Sequence, residues 1–235
     1  MENIINKTTC KDAPDLRDWK LPDSLFGSNQ SIESCFHPWI FSLNQGNTSR
    51  CTAYGLCHTA LATLRNYKQE GLNIKDIDPV YQWGFQVKTG GTEGYGDFLQ
   101  NALKQAKKNG FKIITKNETD KSHINYKLLS YYKINNDGDL VKRMESVIFS
   151  GKAIYTGAKI KGYSENKYIA DITVDGYGHA FCITGFDKYY FYVLNSYGKD
   201  WGIFHNPQHC TNFGYFRIKK DDVKLLFSKY TLEFE

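Results

Sequence analysis

A chain of 235 residues with a hydrophobic fraction of 41% can bury one substantial core, which excludes a disordered or fibrous protein. No run of about 18 apolar residues occurs, so no spanning helix and no membrane partner is expected, and the polar stretch Met1 to Asp15 has no apolar centre of a secretory signal, which favours a cytoplasmic or packaged protein. The net charge of +5 is modest, and its densest cluster, Lys104, Lys107 and Lys108, falls on the surface of an expected helix, so no nucleic-acid partner is expected.

In chain order, the first strong periodicity runs from Cys51 to Lys68, where Ala53, Leu56, Cys57, Ala60, Leu61 and Leu64 recur at three and four; this predicts a helix with one buried stripe, stopped at Gly71. Gly90, Gly91, Gly94 and Gly96 form a glycine-rich run without the lysine and hydroxyl pair of a phosphate loop. A second helix is expected from Asp97, capped by that carboxylate with Gln100 three residues on, turning Phe98, Leu99, Ala102, Leu103 and Ala106 inward and ending at Gly110. A third covers Leu140 to Ile148 and ends at Gly151. Beyond it, residues 153–160, 179–186, 189–194 and 214–218 are β-branched and aromatic, with a hairpin turn at 185–188. The expected fold class is α+β: a single domain over 1–235, with an N-terminal extension at 1–14, a mainly helical lobe over about 15–135 and a mainly β lobe over about 136–235. The seam between the lobes is the natural place for a cleft.

Six cysteines, Cys10, Cys35, Cys51, Cys57, Cys182 and Cys210, contain no CxxC pair, so no structural zinc is expected; their even number permits disulfides without showing any. His205, His209 and Cys210 lack a fourth ligand and paired spacing and read as a surface loop. Asn47-Thr48-Ser49 is a glycosylation sequon beside Cys51, which leans against a secretory route.

Three segments carry chemistry. Cys51 opens a helix after Arg50, and the partial positive charge of a helix N-terminus favours the thiolate, the nucleophilic form. Cys57, inside the apolar stripe, reads as a structural thiol. His179 opens a strand after Gly176-Tyr177-Gly178, where it can take and return a proton. Asn195 ends a strand before Ser196-Tyr197-Gly198, where its amide can hold an imidazole in one tautomer.

Together these segments resemble the papain-like cysteine peptidases. Cys51 follows Gln45-Gly46 at the family spacing of six, His179-Ala180 matches the family's histidine strand, and Asn195-Ser196-Tyr197-Gly198-Lys199-Asp200-Trp201-Gly202 matches its asparagine motif. Asp15-Leu16-Arg17-Asp18-Trp19 is similar to the mature enzyme's opening, and Gly214 to Ile218 to its closing strand. The resemblance implies a two-lobed fold with a helical N-terminal lobe and an antiparallel β-sheet or barrel as the C-terminal lobe. It implies Cys51 as nucleophile, His179 as base, Asn195 as orienter and Gln45 as oxyanion donor. It places Gly90, Gly91, Gly178 and Trp201 at the substrate and Tyr197 over the His179–Asn195 hydrogen bond. The substrate would be a protein or peptide, the enzyme a monomer, and neither cofactor nor metal would be required.

The sequence departs from the pattern in places. Thr48 stands where many members have a disulfide cysteine, Ser49-Arg50 replace a Gly-Ser pair, and Thr52 and Tyr197 replace tryptophans. The stretch 203–213 is longer than in the family, and only a short polar segment, which could lie near the cleft, precedes Asp15. The same dyad chemistry also serves another Cys–His hydrolase or acyltransferase with a non-standard amide substrate, and a fold can persist as a binding module.

Overall fold

The computed structural model describes residues 19–20, 32–37, 40, 42–67, 74–77, 97–115, 123–164, 168–203 and 214–235. Two short strands, β1 (Trp19–Lys20) and β2 (Cys35–Phe36), precede the first helix, α1 (Cys51–Tyr67). Then follow β3 (Ile74–Ile77), α2 (Leu99–Asn109), β4 (Phe111–Thr115), β5 (His123–Tyr126), β6 (Leu128–Ile134) and α3 (Leu140–Phe149). The second half holds β7 (Ile154–Tyr163), β8 (Ala170–Ile172), β9 (Tyr177–Phe186), β10 (Tyr190–Leu194), β11 (Tyr215–Lys219) and β12 (Lys229–Phe234).

A nine-stranded sheet runs β1-β6-β12-β7-β9-β10-β11, with β2 on β9 and β8 on β7. Its central ladders are antiparallel. The Arg217 N–H donates to the Tyr168 carbonyl at 2.8 Å, just before β8, so the sheet curls back towards β7 as a barrel. The strand β9 is buried on both faces and reads as a continuous apolar run: Ala180 and Cys182 join the core with α1, whereas Phe181 and Ile183 join the core inside the curl.

The mixed helical and antiparallel architecture is as expected, but its distribution is not clean. The strands β4, β5 and β6 lie in the stretch expected to be mainly helical, and β6 pairs with β12 in the large sheet. The reason lies in β12, whose backbone edge away from β7 takes β6 as an antiparallel partner, from Lys229 opposite Ile134 to Phe234 opposite Leu128.

Two helix expectations are corrected. Helix α1 has no single buried stripe: Cys51 to Leu64 is buried on every side. It lies between the sheet and α2, and its polar side chains act as ties. Thr63 Oγ1 accepts from Ala153 N–H at 3.1 Å and the Thr52 hydroxyl donates to the Asp97 carbonyl at 3.3 Å, whereas the Thr59 hydroxyl turns back to the Gly55 carbonyl of the same helix. Asp97 does not cap α2. Its Oδ1 accepts from the Phe98 N–H at 2.7 Å and the Asn101 amide at 3.0 Å, and Phe98 takes the cap position without a side-chain bond. By contrast, α3 is capped by Asp139, which accepts from the Lys142 N–H at 3.2 Å. The 185–188 turn is held by Asp187 Oδ1, which accepts the N–H groups of Tyr189 and Tyr190, both at 2.8 Å.

Candidate active site

Cys51 is the first residue of α1, and Arg50 supplies the first carbonyl of the ladder, accepting the Tyr54 N–H at 3.1 Å. One turn on, Gly55 meets β9 directly. A Cβ there would lie 3.0 Å from the Phe181 nitrogen and 3.2 Å from the Ala180 carbonyl carbon. Only glycine lets the helix settle this closely on the strand that carries His179. Cys51, His179 and Asn195 are all fully buried.

His179 Nε2 lies 2.7 Å from Asn195 Oδ1, and the Ser196 N–H donates to that same oxygen at 2.9 Å. The second contact decides the protonation pattern. A backbone N–H only donates, so the atom it meets is the amide oxygen and the amide cannot be turned round. His179 Nε2 is therefore the donor in its bond to Asn195. In the neutral ring the basic lone pair is on Nδ1.

Tyr197 stacks on the His179 ring at 5.2 Å between centroids, and Trp201 packs edge-on against Tyr197 at 5.0 Å. Burial pushes the Tyr163 and Tyr197 hydroxyls well above the ordinary tyrosine range; the influence of each on the other lowers Tyr163 and raises Tyr197, and the nearby Asn195 side chain also lowers Tyr163. A charge on Cys51 adds to the upward push on both, which puts the thiol within electrostatic reach of the same cluster. Both hydroxyls stay protonated at neutral pH and serve as polar supports. Trp201 also touches Tyr163, Tyr168 and Phe216, so it packs behind Tyr197 and joins the core inside the curl.

Gln45 is buried in the turn before α1. Its Nε2 donates to the Thr48 carbonyl at 2.6 Å, while the Thr48 hydroxyl donates to the Gln45 carbonyl at 2.6 Å. This reciprocal pair closes the turn without a covalent bridge, and Cys35, Cys51, Cys57 and Cys182 are not in disulfides. The Ser196 hydroxyl donates to Gln45 Oε1, and the Gln45 N–H donates to the Ser196 carbonyl at 2.8 Å. One Nε2 hydrogen is thus spent on Thr48, and the geometry of a primary amide leaves a second. Thr52, in place of a tryptophan, is buried and holds Tyr155 and the start of α2 through its carbonyl and hydroxyl.

The structure thus brings Gln45 against Ser196, next to Asn195, and Asn195 against His179. Gly178 is buried in β9 opposite Lys159. Gly90, Gly91, the 1–14 extension and His205, His209 and Cys210 of the 203–213 stretch lie outside the described residues. No three His, Cys, Asp or Glu side chains among the described residues form a metal-holding group, and no helix among them is long and apolar enough to cross a membrane. Sequence reasoning missed Ser42, whose hydroxyl donates to the Asn195 carbonyl at 2.7 Å and accepts the Gly198 N–H at 3.1 Å. It also missed Tyr163 and His58; no local pattern marks any of the three.

No protein-family model matches this sequence, and neither does any curated protein. Solved structures do match. Xylellain, a cysteine protease from Xylella fastidiosa, superposes with a TM-score of 0.69 at 14% identity, over 97% of this chain and 96% of that one. A procathepsin B from Trypanosoma congolense gives 0.68 at 12% identity, over 99% and 88%. The Carica candamarcensis cysteine protease CMS1MS2, solved in complex with E-64, gives 0.62 at 14% identity, over 86% and 98%. At these identities the likeness speaks for the backbone, and it shows that this chain has the papain-like cysteine protease fold.

Proposed function

We propose that the protein is a cysteine peptidase that hydrolyses peptide bonds through Cys51 and His179. The observation that carries this reading is the chain from the Ser196 N–H through Asn195 Oδ1 to His179 Nε2, which leaves Nδ1 as the ring's basic atom. In the proposed cycle His179 Nδ1 takes the Cys51 proton, and the thiolate sulfur bonds to the substrate carbonyl carbon. The carbonyl oxygen becomes an oxyanion, bonded by the Cys51 N–H and the second hydrogen of Gln45 Nε2; loss of one such donor costs about 3–4 kcal/mol in known cases. The C–N bond breaks as His179 returns its proton to the leaving amine, giving a thioester. A water then gives a proton to His179, attacks the thioester and releases the acid, and the proton returns to Cys51.

The test is labelling with an epoxysuccinyl inhibitor, adduct mapping by mass spectrometry, and turnover of a peptide library. The expected result is one adduct at Cys51, lost in His179→Ala, with library cleavage lost in Cys51→Ala. Equal cleavage by wild type and Cys51→Ala would overturn the reading.

A further inference from the structure

His58 lies two turns beyond Cys51 on the same face of α1. It is fully buried, and its Nε2 accepts the Leu43 N–H at 3.2 Å. A ring nitrogen that accepts carries no proton, so the ring hydrogen is on Nδ1. Nδ1 is buried and has no hydrogen-bond partner among the described residues, and burial pushes the pKa of this side chain down to about 3, so the ring is neutral. An unsatisfied buried N–H works against stability, and an apolar side chain would avoid it. Among the described residues, the one polar contact the ring makes is the bond to Leu43.

That contact falls at a junction. The Leu43 N–H is held by the nucleophile's helix, and the Leu43 carbonyl accepts the Gly198 N–H at 3.1 Å, in the loop after Asn195. Asn44 bridges Tyr197, and the Gln45 N–H bonds to the Ser196 carbonyl. The Leu43 peptide thus ties α1 to the Asn195 loop, two residues before Gln45. The turn from Leu43 to Arg50 is then attached to α1 at both ends, by the chain at Cys51 and by His58 at Leu43.

We propose that His58 is a positioning residue, which sets the Gln45 turn against the nucleophile's helix so that Gln45 Nε2 and the Cys51 N–H keep a fixed spacing. This inference rests on the peptidase reading of the same site. His58 touches no reacting atom in this scheme; it acts through Leu43.

Three variants test it. His58→Leu removes the acceptor, His58→Gln offers an oxygen at similar reach, and His58→Asn offers one that falls short of Leu43. With peptide substrate, His58→Leu and His58→Asn are expected to lose about tenfold in kcat with KM within about twofold, and His58→Gln to recover most of the loss. The melting temperature of His58→Leu is expected to be no lower than that of wild type. Amide hydrogen exchange at Gln45 and Gly198, whose acceptors are not His58, is expected to speed up in His58→Leu while the centre of α1 stays protected. Unchanged exchange at Gln45 and Gly198 would overturn the proposal, as would a wild-type kcat in His58→Leu or a parallel fall of kcat and melting temperature in all three variants. Should His58→Leu not fold, His58→Asn takes its place in each comparison. A wild type without Cys51-dependent turnover overturns the peptidase reading instead, and exchange at Gln45 then decides the role of His58 alone.

Discussion

The two sides of the site are built by different means. His179 stands near the start of β9 and Asn195 just past the end of β10, whose ladder and aromatic neighbours fix them through many backbone bonds. Gln45 stands in an irregular turn, held by a few side-chain bonds to Thr48, Ser196 and, through Leu43, His58. On the strand side geometry and stability come from the same bonds, so neither can be lost alone. On the turn side each tie is local, so function can be lost with little change in stability.

The largest expected effect that bears on this contrast is Gln45→Ala. It should lower kcat roughly 10²–10³-fold with KM little changed, because in the proposed cycle the amide's second hydrogen meets charge that develops only at attack; steady-state kinetics beside thermal melting would check it. A fall in melting temperature as large as that of a core variant would break the comparison. Acid should instead probe the buried rings. Folding lowers the pKa of His58 from 6.5 to about 3, chiefly by burial. His37 moves in the same direction for the same reason, opposed by its contact with the Ile148 carbonyl. The unfolded chain therefore binds more protons below pH 6.5, and stability is complete above that pH and declines as pH falls towards about 3. Melting temperature against pH should show this slope, and His58→Gln should flatten it.

Gly55→Val tests how the two sides meet. Its Cβ would press on the Ala180–Phe181 backbone, so about 1–3 kcal/mol of stability and most of the activity should be lost together in denaturant melts and turnover assays. The smallest effect belongs to Thr48→Val, which removes the hydroxyl that donates to the Gln45 carbonyl; about 1 kcal/mol is expected, seen as a small drop in melting temperature with a larger proportional fall in kcat. Thiol mapping sharpens the picture further. Burial pushes Cys182 up to about 12, so at pH 8 it should stay unmodified in the folded protein while Cys51 reacts.

Much of the fold and the candidate site residues were legible in the sequence, because both rest on local patterns. Apolar spacing at three and four marked α1 and α3, β-branched and aromatic runs marked β7, β9, β10 and β11, Cys51, His179 and Asn195 stood out by residue type beside helix or strand ends, and Gln45 by the resemblance of its spacing from Cys51 to that of the papain-like peptidases. What the sequence could not settle depends on contacts between distant segments. That β6 joins the large sheet depends on a register with β12 some hundred residues away. That α1 is buried on all sides, with Thr52, His58 and Thr63 as ties, depends on what surrounds it, since periodicity reports only the apolar residues. That Asn195 presents its oxygen to His179 depends on the Ser196 N–H, a backbone donor common to every residue but proline, which composition cannot reveal. The sequence by itself determined which residue types stand at the ends of which elements; only the tertiary structure decided which atoms face each other, because hydrogen-bond partners separated by a hundred residues are set by packing and leave no local signature.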